Sequence, residues 1–129
     1  NQVDGGKRPF HTIIPGFVAK DGKPVMAFGV MGGRMQPQGH VQMIVRILSG
    51  GQNPQAASDA PRFCVMEDGS VAVESNMPQA AIEGLMQRGH NVRIEHNRSL
   101  FGGAQAIMRQ DHGFIGASDH RKDGLVAGF

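Results

Sequence analysis

Three turn signals, each set between apolar, β-rich runs, constrain this chain more than any other feature. Ile13–Val18 and Val25–Val30 flank Lys20-Asp21-Gly22-Lys23. Arg62–Glu67 and Ser70–Glu74 flank Asp68-Gly69, and Ala104–Arg109 and Phe114–Ala117 flank Asp111-His112-Gly113. Asp-Gly pairs supply the positive φ values that tight hairpin turns need. The chain therefore reads as three antiparallel hairpins, built alike but not repeated in sequence. Pro15 has no N–H to give a ladder, so it belongs at an edge or bulge of the first strand.

Helices fill the gaps between hairpins. From Gln38 to Leu48, the residues Val41, Ile44, Val45 and Leu48 follow the i, i+3, i+4, i+7 pattern and predict one apolar, buried face. Ser49-Gly50-Gly51 ends that helix. A short turn is predicted over Pro54–Ser58, with Asn53 as cap and Pro54 in the first position. Pro78 is expected to open a second long helix at its first position, with Ile82, Leu85 and Met86 as its stripe and Gly89 as its stop. His90–His96 then returns as a strand. The resulting order, β-β-α-β-β-α-β-β-β, is α+β or layered α/β, with mostly antiparallel strands and two main helices against a sheet face.

Composition narrows the function classes. The 129 residues are one domain's worth or part of a larger domain, with 40% hydrophobic and 19% charged residues, as in a folded globular chain. Nineteen glycines imply many tight turns and close backbone approaches. The formal charge is only +2, and the basic residues are scattered without aromatic interleaving, which gives nucleic-acid binding no support. No apolar run is long enough to cross a membrane as a helix. Cys64 is the single cysteine and reads as a small buried hydrophobe in a strand. The start, Asn1-Gln2-Val3-Asp4-Gly5-Gly6, does not read as a signal peptide. Without an initiator Met it leads us to expect a cut, tagged or processed chain.

Chemistry-bearing motifs are few. There is no Walker loop, GxGxxG, HExxH or CxxC. His90 and His96 would share a strand face but lack a third ligand at a convincing spacing, so no metal or other cofactor is expected. Ser118, Asp119 and His120 name a triad only on paper, because neighbours on an extended segment do not converge on one point. His11-Thr12 is a better polar pair. Gly32-Gly33 lies between an apolar strand and an amphipathic helix. It is either a simple turn or a cradle whose N–H groups face an anion or developing oxyanion. Gly102-Gly103 reads as a bulge or loop.

Five blocks, in order, carry a resemblance. They are Gly6-Lys7-Arg8-Pro9; Met31-Gly32-Gly33; Gln36-Pro37-Gln38-Gly39-His40-Val41-Gln42; Asp59-Ala60-Pro61-Arg62-Phe63; and Gly116-Ala117-Ser118-Asp119-His120-Arg121-Lys122-Asp123-Gly124. Together they resemble the gamma-glutamyltransferase (gamma-glutamyltranspeptidase) family, most closely its acylase and amidohydrolase branch. The resemblance implies part of an N-terminal-nucleophile hydrolase fold, a four-layer αββα sandwich. It implies a precursor that cleaves itself to expose a threonine, which attacks an amide carbonyl and forms an acyl-enzyme. Gly32 and Gly33 match the family's oxyanion-hole glycines. His11-Thr12 occupies the place of two serines that hold the substrate carboxylate in gamma-glutamyl-specific members. Thr12 keeps the hydroxyl and His11 does not, which points away from strict gamma-glutamyl specificity. Arg62 and Arg121 match motif arginines expected to brace the fold or the precursor as charge-paired structural residues. His120 replaces the usual proline and leaves that loop less rigid.

The resemblance places the nucleophile several dozen residues before Gly6-Lys7-Arg8-Pro9, and Phe129 where family small subunits end. Residues 1–129 are thus expected to form a single, incomplete domain, the C-terminal portion of a small subunit, inactive alone. Its expected partners are an amide substrate, the large subunit and the N-terminal part of the small subunit from the same precursor. Exposed strand edges and apolar faces would favour self-association. The alternative is a standalone binding or assembly domain that retains the scaffold without catalysis. Nothing in the sequence names a compartment.

Overall fold

Asp21 and Gly22 both adopt positive φ, 51° and 72°, the two left-handed conformations a tight hairpin requires. The structure, a computed structural model, describes residues 2–128. Asn1 and Phe129, which bear the expectations about the chain's start and aromatic end, lie outside the described residues. The turn joins β1 (Gly16–Lys20) to β2 (Lys23–Met31), with Lys20 opposite Lys23. Pro15 precedes β1, an edge strand, and the register shifts between Val18 and Ala19.

Helix α1 (Met35–Ile44) follows and widens into a π-helical turn over Val45–Ser49. Next come α2 (Pro54–Asp59), β3 (Phe63–Val65), β4 (Val71–Glu74) and α3 (Gln79–Gln87). β5 (Val92–Glu95) leads through a 3₁₀ turn at Arg98–Phe101 to the last hairpin, β6 (Gly103–Gln110) and β7 (Gly113–Ser118). All three predicted hairpins are present. One sheet has the order β1-β2-β6-β7, fully antiparallel; the other is β3-β4-β5, whose β4–β5 pair is parallel across α3. The architecture is α+β, as the sequence predicts. No helix among the described residues is long and apolar enough to cross a membrane.

Local signals account for most element ends. The Asn53 side chain accepts from the Ala56 N–H at 2.8 Å, with Pro54 opening α2. Pro78 sits one position earlier than expected, as the extended cap of α3 rather than its first residue. Gly89, at φ 87°, stops α3. β5 is shorter than His90–His96 and leaves both histidines outside it.

The apolar stripe of α1 is the main correction. Val41, Val45 and Leu48 are 59%, 53% and 46% exposed, whereas Met35, Gly39, Gln42, Met43 and Ile47 are buried. Of the predicted stripe only Ile44 packs on the core; the helix turns the rest outward because its inner side also serves the backbone of neighbouring segments. Gly39 lets it sit directly on Val30, where a Cβ would lie 2.5 Å from Cγ1. Similarly, Met86 of α3 is exposed and only Ile82 is fully buried.

The core lies on one face of the larger sheet. Met26, Phe28 and Val30 of β2, with Ala104, Ala106 and Ala117 of the last hairpin, pack against Met43, Ile47 and Ala57. The small alanines let the helices approach closely. β4 is buried on both faces: Val71 and Val73 meet Ile82, while Ala72 and Cys64 meet Met35 and Phe101. The cysteine is thus a buried hydrophobe. The opposite face of the larger sheet is largely open and apolar: Lys122 and Val126 lie against Gly103 and Gly116, but Phe17, Met31, Ile107 and Phe114 are more than half exposed.

A buried charge cluster links the two sheets. Arg62 donates to Asp119 at 2.6 Å with both side chains fully buried, and to the Phe101 carbonyl at 2.9 Å. Arg121 donates from Nε to Glu74 at 2.7 Å, from a terminal nitrogen to the second Glu74 oxygen, and to Asp119 at 3.2 Å. Asp119 also accepts from the Ala104 N–H at 2.6 Å and the Arg121 N–H at 2.8 Å. The Arg62 N–H donates to Glu74 at 2.7 Å. The two motif arginines therefore brace the fold by charge pairing. Burial opposes ionisation of both carboxyls. For Asp119 the backbone N–H donors and Arg62 outweigh it, and for Glu74 the Arg121 bond and the Arg62 N–H do. Both pKa values consequently lie below the ordinary 3.8 and 4.5.

Two outcomes follow. Asp119→Asn should cost about 3–5 kcal/mol at neutral pH, because it leaves Arg62 buried without its counter-ion. Urea unfolding would read this, and an unchanged midpoint would contradict it. Because the folded pKa values are depressed, the carboxylates' stabilisation is full above their ordinary values and is lost as pH falls through the folded ones. The wild type should therefore lose stability in acid more steeply than Asp119→Asn. Separately, the open apolar faces predict that the isolated chain self-associates. A monodisperse monomer at high concentration in sedimentation velocity would count against this.

Candidate active site

Gly32 and Gly33 occupy the junction of β2 and α1, where the sequence places them. Their φ values are 126° and 56°. Their carbonyls accept the opening bonds of the helix, from Met35 at 3.0 Å and Gln36 at 3.1 Å. Their N–H groups precede the first helical donor, so the helix ladder does not consume them. Gly32 lies against the backbone of Gly102; a Cβ on Gly32 would be 2.9 Å from the Gly102 Cα. In return, a Cβ on Gly102 would be 2.1 Å from the Met31 carbonyl oxygen. Gly102 is therefore a close-approach glycine, and β6 begins at the next residue. Two successive N–H groups on positive-φ backbone, the first with no room for a Cβ, can meet a developing oxyanion.

A polar scaffold surrounds this junction, and sequence reasoning missed it. The Gln36 side chain donates to the Thr12 carbonyl at 3.1 Å. Gln38 accepts from the Val65 N–H at 2.7 Å and donates to its carbonyl at 3.2 Å. Gln42 does the same to Phe63, at 3.1 and 2.9 Å. His40 accepts from the Val30 N–H through Nε2 at 3.1 Å, and its ring lies 4.9 Å from that of Phe28. Burial lowers the His40 pKa, in keeping with a neutral ring that accepts at Nε2. The available signal was the i, i+4 pair of amides, Gln38 and Gln42, each able to donate and accept at once.

Thr12 and His11 do not share a fate. Thr12 helps line an open groove of about 840 Å³ over the exposed sheet face, together with Met31, Gln36, Gln105 and Lys122. His11 is exposed and is not among its lining residues. The glycines border the groove through Met31 and Gln36 rather than lining it. Ser118, Asp119 and His120 diverge: Asp119 enters the buried cluster, and His120 faces Asp59 at 3.1 Å. Among the described residues, no three His, Cys, Asp or Glu side chains gather as a metal-ligand set.

The family model described as Gamma-glutamyltranspeptidase matches residues 1–129. A glutathione hydrolase-like YwrD proenzyme of Bacillus subtilis is 36% identical over 99% of this chain and 26% of its own length. An oxamate amidohydrolase proenzyme of Klebsiella pneumoniae is 33% identical over 96% of this chain and 25% of its own length. The crystal structure of a cephalosporin acylase from Bacillus halodurans superposes with a TM-score of 0.88 at 43% identity, over 98% of this chain and 24% of that one. The chain thus spans about a quarter of the length of these relatives. The solved neighbours are N-terminal-nucleophile hydrolases, and the α+β fold described above is of that class.

The two glycines should respond differently to a methyl group. Gly33, at φ 56°, has the left-handed conformation that costs alanine roughly 1–2 kcal/mol, and Gly32, at φ 126°, lies further still from what an L side chain adopts. Only Gly32 also meets backbone. Urea denaturation should show Gly32→Ala destabilising more than Gly33→Ala; equal losses would contradict the close packing on Gly102.

Proposed function

The chain belongs to the gamma-glutamyltranspeptidase family, and on that premise we propose that it supplies the oxyanion hole of an acyl-transferring amide hydrolase. Residues 1–129 form the C-terminal portion of the small subunit, and the remainder of the same precursor supplies the nucleophile. The observation that carries this reading is the pair of N–H groups at Gly32 and Gly33, which the helix ladder does not consume, on a backbone with no room for a Cβ at Gly32. The proenzyme relatives, four times as long as the match, support the partnership with other precursor segments.

The chemistry follows the family resemblance. A threonine hydroxyl oxygen attacks the amide carbonyl carbon while an amine takes its proton. Charge moves onto the carbonyl oxygen, where the Gly32 and Gly33 N–H groups stabilise it. The C–N bond breaks, the leaving amine takes the proton, and an acyl-enzyme remains. Water or an acceptor amine then removes the acyl group. Thr12, bound through its carbonyl to Gln36, borders the acyl site and offers a hydroxyl to a polar acyl group. His11 in place of a serine hydroxyl favours an acyl group other than gamma-glutamyl. The relatives' names span glutathione, oxamate and cephalosporin amides, which suits a site whose acyl specificity has diverged.

The complete gene product, given an amide substrate and hydroxylamine, should release the amine and form the acyl hydroxamate. No hydroxamate from γ-glutamyl, oxamyl or cephalosporin side-chain amides would overturn the reading in favour of a binding domain. The 129-residue chain alone should turn over no γ-glutamyl anilide, and measurable turnover would refute its dependence on the rest of the precursor.

A further inference from the structure

We infer that His40 is the positioning residue of the glycine pair: it holds the end of β2 where no strand does. β1 pairs with β2 only as far as Gly16 opposite Phe28. Beyond that point the β1 side of β2 has no strand neighbour, yet β2 continues through Val30 and Met31 to Gly32. On its other side β6 pairs as far as Met31 opposite Gly103. The Val30 N–H, two residues before Gly32, donates to His40 Nε2 at 3.1 Å. The imidazole takes the place of the carbonyl that a longer β1 would present.

Three contacts fix this arrangement. Gly39 allows α1 to rest on the Val30 side chain. Phe28 meets the His40 ring at 4.9 Å. Gly102 blocks movement of Met31 and Gly32 from the far side. The glycine pair is therefore held between Gly102 and a helix that grips β2 through one side-chain acceptor. The bond requires the tautomer with the proton on Nδ1 and Nε2 free. Losing the acceptor would leave a Val30 N–H unpaired and release the segment that aims the Gly32 and Gly33 N–H groups. His40 touches no reacting atom in this scheme. This inference rests on the reading of Gly32 and Gly33 as the oxyanion hole.

The test uses the complete gene product, with His40→Leu to remove the acceptor and His40→Gln to restore one of similar reach. Hydrogen exchange at residues 30–33 should quicken by roughly tenfold in His40→Leu, the scale of losing a partner for a buried N–H. It should return towards wild type in His40→Gln. With γ-glutamyl-4-nitroanilide, or whichever amide the wild type turns over, kcat should fall at least about tenfold in His40→Leu. KM should stay unchanged, and His40→Gln should recover much of the loss. Unchanged exchange, or unchanged kcat in an active enzyme, would overturn the inference. If His40→Leu does not fold, nitrogen chemical shifts of wild-type His40 decide: a protonated Nε2 overturns it, and a free Nε2 with protonated Nδ1 supports it. A wild type inactive on every amide would sink the proposed function. Exchange at residues 30–33 would then judge His40 by itself.

Discussion

The two arginine–carboxylate pairs around Asp119 hold the rest of the structure in place. Asp119 gathers β6 through Ala104, the approach to β3 through Arg62, and its own loop through the Arg121 N–H. Glu74 adds the end of β4. Neither sheet can shift against the other without stranding a charge away from water. Replacing such a cluster with apolar groups can be neutral, whereas losing one member is costly. Its contribution is therefore less net stability than a fixed relation between the sheets, and with it the seat of Phe101-Gly102 behind Gly32.

Helix α1 shows a second way to build a rigid junction. Gln36, Gln38, His40 and Gln42 each satisfy backbone groups of another segment: the Thr12 strand approach, the edge of β3, and the end of β2. A side-chain amide that both donates and accepts can imitate a neighbouring strand, so the edge of β3 is closed without one. The same helix carries its valines and a leucine on the outside. Among the described residues that apolar face, like most of the outer face of the larger sheet, has no cover.

Much of the fold was legible because local chemistry decides it. The Asp-Gly turns, the Asn53-Pro54 cap and the glycine stop after α3 all follow from allowed backbone angles and orphan hydrogen bonds. The glycine pair and the bracing arginines were legible only as motifs, and their neighbours were not. The orientation of α1 was misread because hydrophobic periodicity assumes that the buried face is the apolar one. Here Gln42 is buried by its bonds to Phe63, and Val41 is left outside. The role of Gly102 was hidden for another reason: it depends on a backbone approach between residues about 70 positions apart, which no local pattern encodes.

The span of the charged cluster also bears on how the chain assembles. Its bonds close separations of 57 residues between Arg62 and Asp119 and 47 between Glu74 and Arg121. The hairpins, by contrast, close over two or a few residues. Contacts of high sequence separation are the slow ones, because loop-closure entropy is lost before they form. The hairpins can therefore order early, whereas the four charges come together only once both sheets have formed. Charges that can be buried together only when both sheets are in place would act as a latch: losing one would speed the chain's escape from the folded state more than it slowed folding.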